Sequence, residues 1–198
     1  MDNLAPSVSK IIAGYDPRAV ANWLLDLADA EASDTGVPMP VRPLALQKLL
    51  YLAHGSHLIR FEAPLVAGHF EAWRYGPVNP VVYQAFKHEV AQPITSRAMA
   101  RDVMTGRERP LPSLADPKAR WAILSVLRSH GRLSPGRLVD ITHAKGGPWA
   151  AVVNKAKTSV SLGLRIPDTV TVERFRFQTV SVGADTLSGE PDDDSPLV

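Results

Sequence analysis

Four dipeptides constrain this chain more than any other feature: Asp16-Pro17, Asn79-Pro80, Asp116-Pro117 and Ser134-Pro135. Each sets a side chain that can accept a hydrogen bond from free amides beside a residue whose torsion is already helical. Proline at the first helical position also loses nothing by lacking an N–H. Four helix starts are thereby announced, and seventeen prolines in 198 residues cease to look excessive. After the first start, Val20, Leu24, Leu27 and Ala28 fall on one helical face, up to about residue 33. Residues 34–43, with Gly36, Pro38, Pro40 and Pro43, read as a linker. The next helix is expected over 44–61, with Leu46, Leu49, Leu50, Ala53 and His57 on one side. Asn79-Pro80 opens a helix to about residue 90. Asp116-Pro117 opens one carrying Trp121, Ile123, Leu124, Val126 and Leu127 to Gly131.

Ser134-Pro135 opens another helix, with Leu138 and Ile141, and Trp149, Val152, Val153 and Ala156 mark one more. Val170, Val172, Phe175 and Phe177 read equally as strand or helix. Residues 91–116 show no periodicity, which is long for a loop inside a domain and points to a functional or mobile segment. The fold class is mostly α: a multi-helix single domain with little or no sheet, over 16–182. An N-terminal arm (1–15) precedes it, and an acidic tail (183–198) follows.

Apolar content of 45% against 21% charged is enough to bury a core. No apolar run is long enough to span a membrane, and the N-terminus lacks a secretory signal, so a cytoplasmic location is expected. With no cysteine, disulfides, thiolate metal sites and cysteine nucleophiles are excluded together. Asp185, Glu190, Asp192, Asp193 and Asp194 carry the tail's charge; without them the body holds 22 basic against 15 acidic residues. Such a body could attract nucleic acid or an acidic protein surface, and the tail, expected to be solvated and disordered, could equally screen it.

Between the second and third helices, residues 71–78 read Glu-Ala-Trp-Arg-Tyr-Gly-Pro-Val. Gly76 supplies torsional freedom, and Pro77 pushes Gly76 out of the helical region. Trp73 and Tyr75 are therefore held at a rigid bend between helices. In extended backbone they point to opposite sides, so one anchors the core while the other faces outward. Lys48 and Tyr51, three apart, are expected beside the apolar stripe, where a solvated lysine and an amphipathic tyrosine could meet the bend or a partner. His54 and His57 share i, i+3 spacing, but two ligands make a poor metal site, and no metal or cofactor is expected. Thr142-His143 ends a helix six residues before Trp149, with Gly146-Gly147-Pro148 between. His143 there is expected to meet the helix dipole and to hold a turn with Trp149. No nucleophile elbow, phosphate-binding loop or carboxylate–histidine signature accompanies it, so the chain does not read as an enzyme.

Gln47-Lys48-Leu49-Leu50-Tyr51, Ala72 through Val78, Val82-Tyr83, and Thr142-His143 with Pro148-Trp149 resemble, in order and spacing, the Panacea antitoxin domain. That domain also occurs in phage-associated GepA-type proteins and in the SocA-type antitoxins, and the resemblance covers 44–155. It implies an intracellular protein that neutralises a toxin encoded beside it by direct binding. For the SocA type it implies a proteolytic adaptor that hands the toxin to the ClpXP protease. The residues expected to face the toxin are the exposed members among Trp73, Arg74, Tyr75 and Tyr83, together with arginines of 91–116, Lys48 and Tyr51 being further candidates. Gly76, Pro77, Thr142, His143, Pro148 and Trp149 are expected to be structural. The rival reading is a DNA-binding autoregulator, with 117–145 as a helix-turn-helix and Arg132, Arg137 and Lys145 toward nucleic acid.

Overall fold

All four predicted caps form in the computed structural model, which describes residues 14–89, 92–156 and 164–177. Helix α1 (Pro17–Thr35) starts where Asp16 accepts the Arg18 amide at 2.9 Å. Helix α3 (Pro80–Phe86) starts where Asn79 accepts the amides of Val81 and Val82 at 3.1 and 3.2 Å. Asp116 does the same for Lys118 at α4 (Pro117–His130), and Ser134 for Arg137 at α5 (Pro135–Thr142). Helix α2 (Pro43–Phe61) also begins with proline, but Arg42 before it makes no side-chain cap. Helices α6 (Pro148–Ala156) and α7 (Asp168–Arg174) complete the set, and a 3-10 turn (Phe175–Phe177) follows α7. Among the described residues the chain is mostly α, with strands confined to two small sheets.

Helix α2 is the centre of the molecule. Leu46, Leu49, Leu50, Tyr51 and Ala53 are wholly buried, and so are Gln47, Lys48, His54 and His57 to within a few per cent. Burial on every side is what a helix surrounded by other helices requires. Here α1, α3, α4, α5 and α7 all pack against it. The expected one-sided stripe is corrected accordingly: Lys48 and Tyr51 do not flank the core but lie inside it.

Residues 70–78 are not a bend between helices but a β-hairpin. Strands β1 (Phe70–Trp73) and β2 (Gly76–Val78) pair antiparallel with Trp73 opposite Gly76, leaving Arg74 and Tyr75 as the loop. Glycine and proline are compatible with this because β2 is an edge strand, where a missing amide is tolerated. The sheet's other edge is β5 (Arg165–Ile166), while α7 resolves the strand-or-helix ambiguity of 170–174 as helix.

The 91–116 segment, where described, contains a second hairpin, β3 (Met99–Arg101) with β4 (Glu108–Pro110). It is strapped to α1. The Asn22 amide donates to the Ala98 carbonyl and accepts the Ala98 amide, both at 2.8 Å. Arg97 reaches Asp26 and Asp29, each at 2.7 Å. Helix α3 ends at Phe86, four residues short of expectation. The acidic tail and all of the arm except Gly14 and Tyr15 lie outside the described residues. Tyr15 is tied to the body: its amide donates to Leu65 and its carbonyl accepts the Ala67 amide.

Candidate functional site

The four motif segments converge on the β1–β2 hairpin. From α2, Lys48 Nζ donates to the Pro77 carbonyl at 3.1 Å, and Gln47 Oε1 accepts the Asn79 amide at 2.9 Å. From α6, Trp149 Nε1 donates to the Trp73 carbonyl at 2.9 Å. Thr142 closes the packing from below, its hydroxyl turned to the carbonyls of Leu138 and Val139. Gly76 adopts φ +100°, and a Cβ there would stand 2.8 Å from Thr142 Oγ1 and 3.1 Å from Lys48 Cε. Side chains 28 and 66 positions away thus set the glycine requirement as firmly as the local backbone does.

This arrangement splits the motif into an inner and an outer part. Trp73, Pro77 and Thr142 are buried; the Trp73 indole N–H donates to Glu71 at 2.8 Å, and its ring meets Tyr83 edge-on at 4.7 Å. Tyr51 packs edge-on against Phe70 at 5.0 Å, and its hydroxyl bonds Thr171 at 3.1 Å. Burial pushes its phenol well above the ordinary range. Lys48 and Tyr51, wholly enclosed, therefore have no surface for a partner in this state. The outer part is Arg74, exposed with its guanidinium 5.4 Å from the Tyr75 ring, together with the half-buried Tyr75 and Tyr83.

His143 and Trp149 stack with ring centroids 3.7 Å apart and 15° between planes, above the buried Pro148. The expected charge–dipole role of His143 is corrected. Burial, and secondarily the Lys48 charge, lower its pKa to about 4, so the ring is neutral at pH 7. It caps α5 through its backbone instead, its amide donating to Val139 O at 2.9 Å. A folded-state pKa below the ordinary 6.5 means that the unfolded chain binds the extra proton first. Stability is therefore full above pH 6.5 and falls as pH drops toward 4, by on the order of 2 kcal/mol from this group. Urea unfolding across that window should show a slope that flattens in His143→Asn. An unchanged slope would refute the assignment.

His54 and His57 do not converge on a ligand. His54 Nε2 donates to Asp168 at 3.1 Å and its Nδ1 accepts the Val66 amide, while His57 Nδ1 donates to Ala63 O at 2.7 Å. Among the described residues no group of acidic or histidine side chains could hold a metal ion.

Beside the hairpin lies a cleft that no motif announces. Val81, Gln84 and Ala85 of α3, with His88 just past its end, face Met99 and the 96–98 strap across an open volume of about 740 Å³. Val81 and Met99 are exposed there, and Val103 and Met104 stand almost fully exposed at the tip of the β3–β4 hairpin. Of the 91–116 arginines, Arg97 is bound to α1, whereas Arg101, Arg107 and Arg109 are exposed.

The helix-turn-helix candidate takes shape as α4 and α5, but α5 has no exposed residue. Its Leu138, Val139, Ile141 and Thr142 are buried, Arg137 faces Asp140 at 3.6 Å, and Arg132 donates to Thr35 at 2.8 Å. A recognition helix must project several side chains into a groove, whereas the charged side chains of α5, Arg137 and Asp140, are only partly exposed and face each other.

The family model described as "Antitoxin SocA-like, Panacea domain" matches residues 46–150, a span that includes every hairpin anchor from Gln47 to Trp149. Over 191 residues the chain is 42% identical to Antitoxin SocA of Caulobacter vibrioides (strain NA1000 / CB15N), covering 96% of this chain and 98% of that protein. No solved structure matches. With the family model spanning more than half of the chain and a relative aligned almost end to end, this chain belongs to the SocA-like, Panacea-domain antitoxins.

Proposed function

We propose that this chain neutralises a cognate toxin by binding it directly in the cytoplasm, and that it serves as a proteolytic adaptor delivering the bound toxin to ClpXP. Its action is binding, not catalysis. The observation that carries the reading is the nearly end-to-end alignment, at 42% identity, with a protein named as an antitoxin. The toxin-facing surface is the hairpin tip and the adjoining cleft: Arg74, Tyr75 and Tyr83, then Val81, Gln84 and Met99, with Arg101 and Arg109 at the margin. Two features support this surface. The hairpin is clamped from α2 and α6, so its tip is preorganised and little ordering entropy opposes binding. The cleft's lining is mixed, with Val81, Ala85 and Met99 beside Gln84, His88 and Glu108, and Arg101 and Arg109 are exposed on the adjoining hairpin, which suits a partner of mixed character and makes association salt-sensitive.

Co-expression of the toxin with this chain should restore growth, and Arg74→Glu/Tyr75→Ala and Val81→Asp should each abolish rescue and co-purification while keeping a native circular dichroism spectrum. Folded variants that neutralise as wild type does would place the contact elsewhere. For the adaptor step, purified ClpXP should shorten the toxin's half-life only when this chain is present. An unchanged half-life would leave sequestration as the mechanism.

A further inference from the structure

We infer that the end of α2 and the start of α4 form a second docking surface, specific for an acidic segment of another protein that carries a bulky apolar side chain. It goes beyond the antitoxin reading and does not depend on it. Ile59 and Trp121 are 49% and 47% exposed, and the Phe61 and Trp121 rings meet edge-on at 5.6 Å, nearly perpendicular. Two cations frame the pair. The Arg60 guanidinium lies 5.8 Å from the Trp121 ring, and Lys118 Nζ lies 5.6 Å from the Phe61 ring.

Trp121 contributes nothing that the core needs from it, since Ala119, Ala122 and Ile123 carry the buried face of α4. A large ring on the outer face, beside a guanidinium, is the composition of an interface hot spot. Cations already held over rings lose little freedom when a carboxylate reaches them.

Among the described residues neither Arg60 nor Lys118 is held in an ion pair, although Asp116 keeps its negative charge beside Lys118. Asp116 is committed to the Tyr15 hydroxyl at 2.7 Å and to the Lys118 amide at 2.9 Å. Glu62 is exposed, following Phe61 at the end of α2. The charge complement of an Arg60–Lys118 pair around Phe61 and Trp121 is a segment with carboxylates flanking one apolar side chain. The surface shares no residue with the hairpin tip or the cleft.

The test uses the full chain and a short fluorescein-labelled peptide of aspartates around one central leucine, followed by anisotropy. Binding should saturate, weaken with added salt, and fail when lysines replace the aspartates or glycine replaces the leucine. Trp121→Ala, and separately Arg60→Glu/Lys118→Glu with the rings intact, should each weaken it about tenfold or more. Absence of saturable binding, or equal binding by either variant, overturns the inference. So does self-association that Trp121→Ala abolishes, which would assign the surface to a second copy. Peptide binding seen only in a chain ended at Val182 would assign the surface to the chain's own acidic end, and it too would refute the inference.

Discussion

Gly76→Ala should destabilise the protein by about 3–4 kcal/mol, enough to unfold a marginal domain. Two costs combine. At φ +100° any side chain is strained against its own backbone, and the new methyl would lie 2.8 Å from Thr142 Oγ1 and 3.1 Å from Lys48 Cε. Neither neighbour can move away freely. Lys48 is fully buried and donates to Pro77, and the Thr142 hydroxyl is bonded to α5 carbonyls. Gly36 provides the control. It ends α1 at φ +66° with nothing within 4 Å, so Gly36→Ala should cost only about 1 kcal/mol of backbone strain. Urea midpoints of the two variants separate strain from close approach. Equal costs would show that the convergence of α2 and α5 on the hairpin is not what requires glycine.

Tyr51→Ala should cost about 3–5 kcal/mol, and Tyr51→Phe about 1 kcal/mol. The ring is fully buried between Phe70 of β1 and Phe175 after α7, at 5.0 and 6.5 Å. Alanine would leave a cavity at the junction of α2, the sheet and the C-terminal elements. Phenylalanine keeps that packing and loses only the 3.1 Å bond to Thr171, whose hydroxyl retains Pro167 O at 3.3 Å. Phe175 also lies over Gly55, so α7 and the turn after it are held to α2 largely through rings. Tyr51→Ala should therefore also speed proteolytic loss of the residues beyond 166. A Tyr51→Phe cost as large as that of Tyr51→Ala would show that the hydroxyl, not the ring, holds this junction.

Helix starts were legible because the signal is local: Asp16, Asn79, Asp116 and Ser134 each accept amides two or three residues on, whatever else the chain does. Lys48 and Tyr51 were misplaced for the opposite reason. A helical wheel assigns one buried face, and nothing local announces that α2 is enclosed on every side from Ala45 to His54, so that a lysine's ammonium ends on a hairpin carbonyl. The hairpin itself was half legible. Gly76-Pro77 excluded helix, but two short strands of three and four residues carry too little alternation to be told from a bend. His143 shows how burial overrides position: a histidine at a helix end reads as a cation until Trp149 stacks on it and desolvation keeps it neutral.

By itself the sequence determined where the four capped helices begin, that Gly76 must adopt a non-helical torsion, and, through the ordered motif segments, the family. Those properties depend on neighbouring residues or on the linear order of motifs. Which side chains face a partner was decided only by tertiary structure. Trp73 and Arg74 are adjacent in the chain, yet one is enclosed by Tyr83 and Trp149 and the other projects from the hairpin tip. Exposure is a property of what packs from far away, and the α3 cleft exists only because the 96–101 segment is held across from it by Asn22, Asp26 and Asp29.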